Sequence, residues 1–119
     1  MVKVMIADDS AFMRKVLKSI LAKEGYDEIV ESTNGQETVE MYRKEKPDLV
    51  LLDIIMEKKD GLTALKEMKK INPKSKIIMV TAVGQDAMVK EAMDHGAQDF
   101  IVKPFKTEDV VNAIRKSFK

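Results

Sequence analysis

The sequence predicts a doubly wound α/β domain, in which a parallel sheet of five strands has helices on both faces. Short apolar segments alternate five times with segments of helical periodicity, a pattern typical of right-handed crossovers between parallel strands. The central apolar segments are apolar at consecutive positions, as expected when both faces of a strand are covered. The connections are short, so successive elements are expected to pack against each other.

The predicted strands are short apolar segments bounded by charged residues, Gly, Pro or Asn. They are Val2–Ala7, Glu28–Glu31, Asp48–Asp53, Lys76–Thr81 and Asp99–Val102. Two of them include uninterrupted apolar runs, Leu49–Leu52 and Ile77–Val80, and are therefore predicted to be central strands of the sheet.

The first predicted helix has one apolar face, a start signal at its amino end and a stop signal at its carboxyl end. The residues of this face are Phe12, Val16, Leu17, Ile20 and Leu21. Ser10 is suited to cap the amino end of the helix, because its hydroxyl can accept a hydrogen bond from a free backbone N–H group. Gly25 is suited to end the helix, because glycine readily adopts the left-handed conformation found there.

Three further helices are predicted between the later strands. The second and third end before Pro47 and Pro73, because the residue before a proline avoids the helical conformation. The fourth ends at Gly96. Their apolar faces comprise Val39 and Tyr42 in the second, Leu62, Leu65 and Met68 in the third, and Met88, Val89, Ala92 and Met93 in the fourth.

The fifth helix is predicted to begin at Thr107, whose hydroxyl would cap it. Glu108 and Asp109 follow, and their negative charges favour the positive end of the helix dipole. Its apolar face comprises Val110, Val111, Ile114 and Phe118.

Length and composition limit the classes of function. The 119 residues are expected to form a single domain over positions 1–119 with no attached effector domain. Because 21 basic residues balance 20 acidic ones, no overall basic surface for nucleic acid is expected. No apolar run approaches the roughly 18 residues of a membrane span, and no signal peptide is evident, so we expect a cytoplasmic protein that does not bind a membrane.

The residue content also limits the kind of metal site. The chain has no cysteine and a single histidine, His95, so that neither a thiolate site nor a multi-histidine site is available. Any metal is therefore expected to be held by oxygen atoms.

Charged and hydroxyl side chains stand at the carboxyl ends of four predicted strands. They are Asp8 and Asp9 after the first strand, Asp53 after the third, Thr81 after the fourth and Lys103 after the fifth. Sites in open parallel sheets form at this edge, so we expect these side chains to converge there. Asp53 lies within an apolar stretch, and burying its charge is costly unless the carboxylate is neutralised, paired or bound to a metal.

The predicted cluster has the groups needed for magnesium-dependent phosphoryl transfer. Three nearby carboxylates repel each other unless a hard cation or raised pKa values relieve the repulsion. Mg²⁺ prefers oxygen ligands and could be held by one or two carboxylates and a backbone carbonyl. A carboxylate beside Mg²⁺ and a lysine can act as a nucleophile toward a phosphoryl group. The same carboxylates would also suit a magnesium-dependent phosphoester hydrolase, although no substrate pocket is evident.

Several short motifs of this chain resemble those of response-regulator receiver domains, and the resemblance covers the whole chain. The motifs are Asp8-Asp9-Ser10, Asp53, Thr81-Ala82 and Lys103-Pro104-Phe105. The resemblance implies a flavodoxin-like fold with strand order 2-1-3-4-5. A flavodoxin-like electron carrier would share this fold, but the chain lacks tryptophan and an evident flavin-phosphate loop.

The resemblance also implies a role for each acidic residue. Asp53 would be the phosphoacceptor and Asp9 a direct Mg²⁺ ligand. Asp8 would be a second acidic group that acts largely through water. The backbone carbonyl of Ile55, two residues after the acceptor, would complete the protein ligands.

Three further residues would respond to the phosphoryl group. By the same resemblance, Lys103 would bind one phosphoryl oxygen and the Thr81 hydroxyl another, after which Phe100 would change rotamer. Core packing is the simplest expectation for an aromatic residue such as Phe100. The switching role would be additional to that packing.

The implied partners are a histidine kinase and an output protein that binds in trans. The output surface would lie around helix four, strand five and helix five. The run Asp9–Arg14 resembles chemotaxis regulators in particular, although methylesterase receivers and some transcriptional regulators share similar stretches. We therefore expect a motility component as the output protein, and a phosphorelay intermediate is the alternative.

Overall fold

A computed structural model of the chain describes residues 2–119. Its parallel strands form a single sheet in the order β2-β1-β3-β4-β5, which confirms the predicted architecture and the implied strand order. The strands are β1 (Lys3–Ala7), β2 (Glu28–Ser32), β3 (Leu49–Asp53), β4 (Ile77–Ala82) and β5 (Asp99–Lys103). The helices are α1 (Ala11–Lys23), α2 (Gly35–Glu45), α3 (Gly61–Ile71), α4 (Asp86–Asp94) and α5 (Thr107–Ser117).

Helices cover both faces of the sheet, and this produces two separate layers of core. Neighbouring residues of a strand point to opposite faces, so Val50 and Leu52 pack toward α2, α3 and α4. Leu51 packs toward α1 and α5 on the other face. Burial of an aliphatic side chain of this size contributes about 2 kcal/mol. All residues of β3 are buried, which explains why this segment is apolar without alternation.

The predicted strand ends differ from the observed ones by one residue in most cases. Backbone pairing determines where a strand ends, whereas the sequence reveals only where hydrophobicity stops. Ala82 pairs with Lys103, for example, and this pairing extends both β4 and β5 beyond the apolar segments.

The ends of α1 agree with the predicted signals. The Ser10 hydroxyl accepts a hydrogen bond from the Met13 N–H group at 3.1 Å, and Gly25 follows the helix with a φ of 90°. Phe12 was expected on the buried face but is 74% exposed, because it lies on the first turn of the helix, ahead of the first buried residue, Leu17. The apolar face that contacts the sheet therefore begins later than predicted.

The cap of α5 differs from the prediction. The helix begins at Thr107, but the residue in the N-cap position is Lys106. The Asp109 carboxylate accepts a hydrogen bond from the Lys106 N–H group at 3.1 Å. Asp109 therefore satisfies a free backbone donor at this helix end, the task that the sequence suggested for the Thr107 hydroxyl.

The helices of residues 2–119 are between 9 and 13 residues long. Within this part of the chain, none of them combines the length and the apolar character that a membrane crossing needs.

Candidate phosphoryl-transfer site

The carboxyl ends of β1, β3, β4 and β5 lie side by side at one edge of the sheet. Asp53 pairs with Val80, the residue before Thr81, and Ala82 pairs with Lys103 on the next strand. Asp8 directly follows β1, whose last residue pairs with Leu52, the neighbour of Asp53. Parallel pairing thus brings together residues that are distant in the sequence.

Three carboxylates form the acidic cluster, which we define as Asp8, Asp9 and Asp53. One oxygen from each lies within 4.8 Å of the other two. Asp8 and Asp53 are buried, at 2% and 8% exposure, whereas Asp9 is exposed. Burial, the largest cause, and the negative charge of Asp8 together raise the pKa of Asp53 from 3.8 to about 6, although Lys103 opposes the rise. The negative charge of the cluster is therefore only partly compensated.

Lys103 is the cation that faces the acidic cluster. Its Nζ atom lies 3.3 Å from Asp8 Oδ2 and 3.5 Å from Asp53 Oδ2. One ammonium group cannot balance three carboxylates, so a divalent cation would remove the remaining repulsion. The donors are all oxygen atoms, and one of the three carboxylates is open to solvent, which fits a hard ion such as Mg²⁺ that retains several waters.

Arg14 supports Asp8 from the first helix, and the sequence alone did not reveal this role. Its Nη1 atom donates to the Asp8 backbone carbonyl at 2.7 Å, and its Nε atom donates to Glu31 at 3.0 Å. The Asp8 carboxylate in turn accepts a hydrogen bond from the Ser10 N–H group at 2.9 Å. In the sequence Arg14 cannot be distinguished from a solvated arginine on an exposed helix face.

The loop after Asp53 is held by a close backbone approach at Gly61. The Gly61 N–H group donates to the Ile54 carbonyl at 2.6 Å, and a Cβ atom at position 61 would overlap the Asp53 carbonyl. The Ile55 N–H group lies 3.4 Å from Asp53 Oδ1, and the Ile55 side chain is 54% exposed. The predicted role of the Ile55 carbonyl stays a prediction. Gly61 follows Asp60, the N-cap residue of α3. This Asp-Gly pair is the sequence signal from which the close backbone approach at Gly61 could have been predicted.

Thr81 lies at the same edge of the sheet, but its hydroxyl is engaged elsewhere. The side chain is 1% exposed, and Oγ1 lies 2.6 Å from Oε1 of Gln85. The same Gln85 oxygen accepts a hydrogen bond from the Ala82 N–H group at 2.9 Å. Gln85 was not identified from the sequence, because a glutamine ahead of a helix has no distinctive pattern.

Phe100 does not pack in the core, contrary to the expectation from the sequence. It is 43% exposed on β5, where it lines a groove together with Val89, Met93 and Val102. Because β5 is the edge strand, Ile101 is buried while the two residues beside it are exposed. The Phe100 ring is therefore not enclosed by the core. The predicted change of the Phe100 rotamer stays a prediction.

Comparisons with known proteins identify the family. A family model described as the response regulator receiver domain matches residues 4–115. The chain is 52% identical over 117 residues to the chemotaxis protein CheY of Thermotoga maritima, covering 98% of each chain. It is 49% identical over 115 residues to CheY of Bacillus subtilis, covering 97% of this chain and 96% of that one.

A solved structure supports the same assignment. A chain in the crystal structure of the CheX-CheY complex with beryllofluoride and magnesium from Borrelia burgdorferi is 35% identical, with a TM-score of 0.94. The match covers 99% of this chain and 90% of that one. Receiver domains bind Mg²⁺ at an aspartate cluster, and the acidic cluster of this chain is a group of three aspartates that could hold a metal ion. The chain belongs to the response regulator receiver domain family, and it is a phosphorylation-activated signalling domain rather than a conventional enzyme.

Proposed function

We propose that Asp53 accepts a phosphoryl group from a histidine kinase and that this modification changes the binding of an output protein. The observation that supports this proposal is the position of Lys103, whose Nζ atom lies between the buried carboxylates of Asp8 and Asp53. A cation held there can neutralise the oxygens of a group that arrives at Asp53.

The transfer step follows from the chemistry of the two side chains. An oxygen of the ionised Asp53 attacks the phosphorus of the kinase phosphohistidine, so that a P–O bond forms while the P–N bond breaks. The imidazole nitrogen leaves with the electron pair of that bond. Because the pKa of Asp53 is about 6, the carboxylate is mostly ionised at neutral pH and can act as a nucleophile.

The protein ligands for a magnesium ion would be the acidic cluster and the backbone carbonyl of Ile55. Bound Mg²⁺ supplies positive charge that neutralises the phosphoryl oxygens. Lys103 already pairs with Asp8 and Asp53, and it would exchange these contacts for one to the phosphoryl group. During this exchange the hydrogen bond from Arg14 to the Asp8 carbonyl would hold the carboxyl end of β1 in place.

The output surface that we propose is the groove defined by Val89, Met93, Phe100 and Val102. A hydrogen bond from Thr81 to the phosphoryl group would move the loop between β4 and α4, which lines the same groove. Phosphorylation would then shift the population of two arrangements of the groove, and Phe100 would change rotamer with them.

We further propose that the output partner is a separate protein of the motility machinery. Two relatives that match this chain over nearly its whole length are named chemotaxis proteins, at 52% and 49% identity. The Borrelia burgdorferi structure pairs CheY with a second protein, CheX, which supports regulation through a partner in trans. Because this partner would be a separate protein, the single domain 1–119 would produce its output without an attached effector domain.

The experiment that tests this proposal is mapping of the modified residue after incubation with acetyl phosphate and Mg²⁺. The expected result is an acid-labile phosphate on Asp53 that is lost in Asp53→Asn. Asp27→Asn is the matched control, because Asp27 is exposed and lies in the connection before β2, away from the acidic cluster. Undiminished incorporation in Asp53→Asn would reject the proposal.

A further inference from the structure

The side-chain amide of Gln85 has a defined orientation, and this determines the direction of its bond to Thr81. A backbone N–H group can only donate, so the Gln85 atom that meets the Ala82 N–H group at 2.9 Å must be the carbonyl oxygen. That oxygen can only accept. The Thr81 hydroxyl, at 2.6 Å from it, must therefore donate its proton to Gln85.

This bond competes with the one that phosphorylation requires. Ionised phosphoryl oxygens are acceptors, so Thr81 can bind one only by donating its hydroxyl proton. The hydroxyl has a single proton. Its oxygen lies 2.6 Å from Gln85 Oε1 and 3.3 Å from the Ala82 carbonyl, so Gln85 is the nearer acceptor. Thr81 must release Gln85 before it can bind a phosphoryl group.

The Gln85 side chain serves this contact rather than the helix that follows it. Gln85 occupies the N-cap position of α4, yet it makes no capping hydrogen bond to that helix. Both groups that its oxygen accepts from lie at the end of β4. The bonds thus tie the start of α4 to the strand end that faces the acidic cluster.

We propose that Gln85 is a positioning residue that holds Thr81 and the loop between β4 and α4 in the unphosphorylated arrangement. This inference rests on the proposed function, because it assumes that Thr81 binds the phosphoryl group on Asp53. When Thr81 turns toward Asp53, Gln85 loses one of its two donors. The loop, which includes the 81% exposed Val83, is then freed to rearrange beside the output groove.

The test is a titration with beryllofluoride and Mg²⁺, which places fluorine acceptors on Asp53 in place of phosphoryl oxygens. Gln85→Met removes the acceptor and keeps an unbranched side chain of similar length. The amide signal of Ala82 in the NMR spectrum, recorded before the titration, verifies that its hydrogen bond is lost. We expect Gln85→Met to bind beryllofluoride about three- to tenfold more tightly than the unsubstituted chain, the range given by one neutral hydrogen bond.

Two further variants distinguish a positioning role from a general effect on the loop. Gln85→Glu keeps the acceptor and should bind beryllofluoride no more tightly than the unsubstituted chain. In a Thr81→Ala background the effect of Gln85→Met should disappear, because no hydroxyl remains to be released. Gln85→Ala serves in place of Gln85→Met if the latter does not fold.

The outcomes separate this inference from the proposed function. An equal gain from Gln85→Met with and without the Thr81 hydroxyl, or no gain at all, would overturn the role of Gln85. If acetyl phosphate labels no residue at position 53 in the unsubstituted chain, the proposed function itself fails.

Discussion

Asp53 must be ionised to act as a nucleophile, but its surroundings oppose ionisation. The carboxylate ends a fully buried strand and faces the buried Asp8, while Lys103 is only partly able to compensate. A structural role would favour a neutral residue at this position. Under the proposed function this cost has a use, because the negative charge would attract a divalent cation and the ionised oxygen could attack a phosphoryl group.

Asp53→Asn should therefore stabilise the protein in the presence of EDTA. The pKa of Asp53 rises from 3.8 to about 6 on folding, so the native state takes up a proton that the unfolded chain has already released. The unsubstituted chain consequently loses stability as the pH rises from about 4 to about 6, whereas the variant does not. Above that window we expect a gain of about 2 to 3 kcal/mol.

Urea unfolding at pH 4 and pH 7.5 measures this effect. The gain should be present at pH 7.5 and nearly absent at pH 4, and Asp27→Asn should show no gain at either pH. A destabilised Asp53→Asn variant at pH 7.5 would mean that the Lys103 pair contributes more than burial costs.

Arg14 acts on the site through the backbone of Asp8, and its geometry matters more than its charge. The guanidinium group donates to the Asp8 carbonyl and to Glu31 from two different nitrogens of one rigid plane, and lysine has no such planar pair of donors. Arg14→Lys should therefore weaken Mg²⁺ binding by about threefold or more, the loss expected from one hydrogen bond. A magnesium titration followed by NMR measures the affinity, with Arg43→Lys on the exposed surface as the control. Unchanged affinity in Arg14→Lys would contradict this role.

At the scale of elements, apolar patterning was sufficient to predict every strand and helix, because each element must bury one or two faces in the same sheet. Convergence of the acidic cluster with Lys103 was predictable as well, since parallel strands end at one edge. Features that depend on side-chain competition were not predictable. Asp109 rather than Thr107 interacts at the start of α5. The contact between the Thr81 hydroxyl and Gln85 had no signal in the sequence. Local sequence does not indicate which of several capable partners lies closer.

The junction between β3 and α3 tolerates no side chain at Gly61. A methyl group there would meet the backbone of Asp53, which cannot move without displacing the strand end. We expect Gly61→Ala to cost about 2 to 3 kcal/mol and to shift the amide signals of Asp53 and Ile54.

Gly25→Ala is the matched control for this junction. Nothing lies within 4 Å of a Cβ atom at position 25, so only its φ of 90° opposes the substitution. The cost should be about 1 kcal/mol, with the Asp53 signals unchanged. Equal costs for the two variants, together with unchanged Asp53 signals in Gly61→Ala, would contradict the close approach as the cause.

At the scale of the whole molecule, the sheet concentrates negative charge at one edge of a chain that is nearly neutral overall. The formal net charge is +1, yet three carboxylates and one nearby ammonium group meet beyond the strand ends. The folded state alone brings these carboxylates together, so a cation that binds all of them must bind the folded state preferentially. Magnesium binding and folding are therefore expected to be coupled.

Removal of magnesium should accordingly lower the free energy of unfolding of the entire domain. For one site that exists only in the folded state, each tenfold rise in free Mg²⁺ above the dissociation constant adds about 1.4 kcal/mol. Urea unfolding at several Mg²⁺ concentrations and constant ionic strength measures this slope, with Na⁺ used to maintain the ionic strength. Asp9→Asn should reduce the response, because it removes the exposed carboxylate of the cluster, whereas Asp27→Asn should retain it. An unfolding midpoint that is independent of Mg²⁺ would show that the acidic cluster does not bind the ion in the folded state.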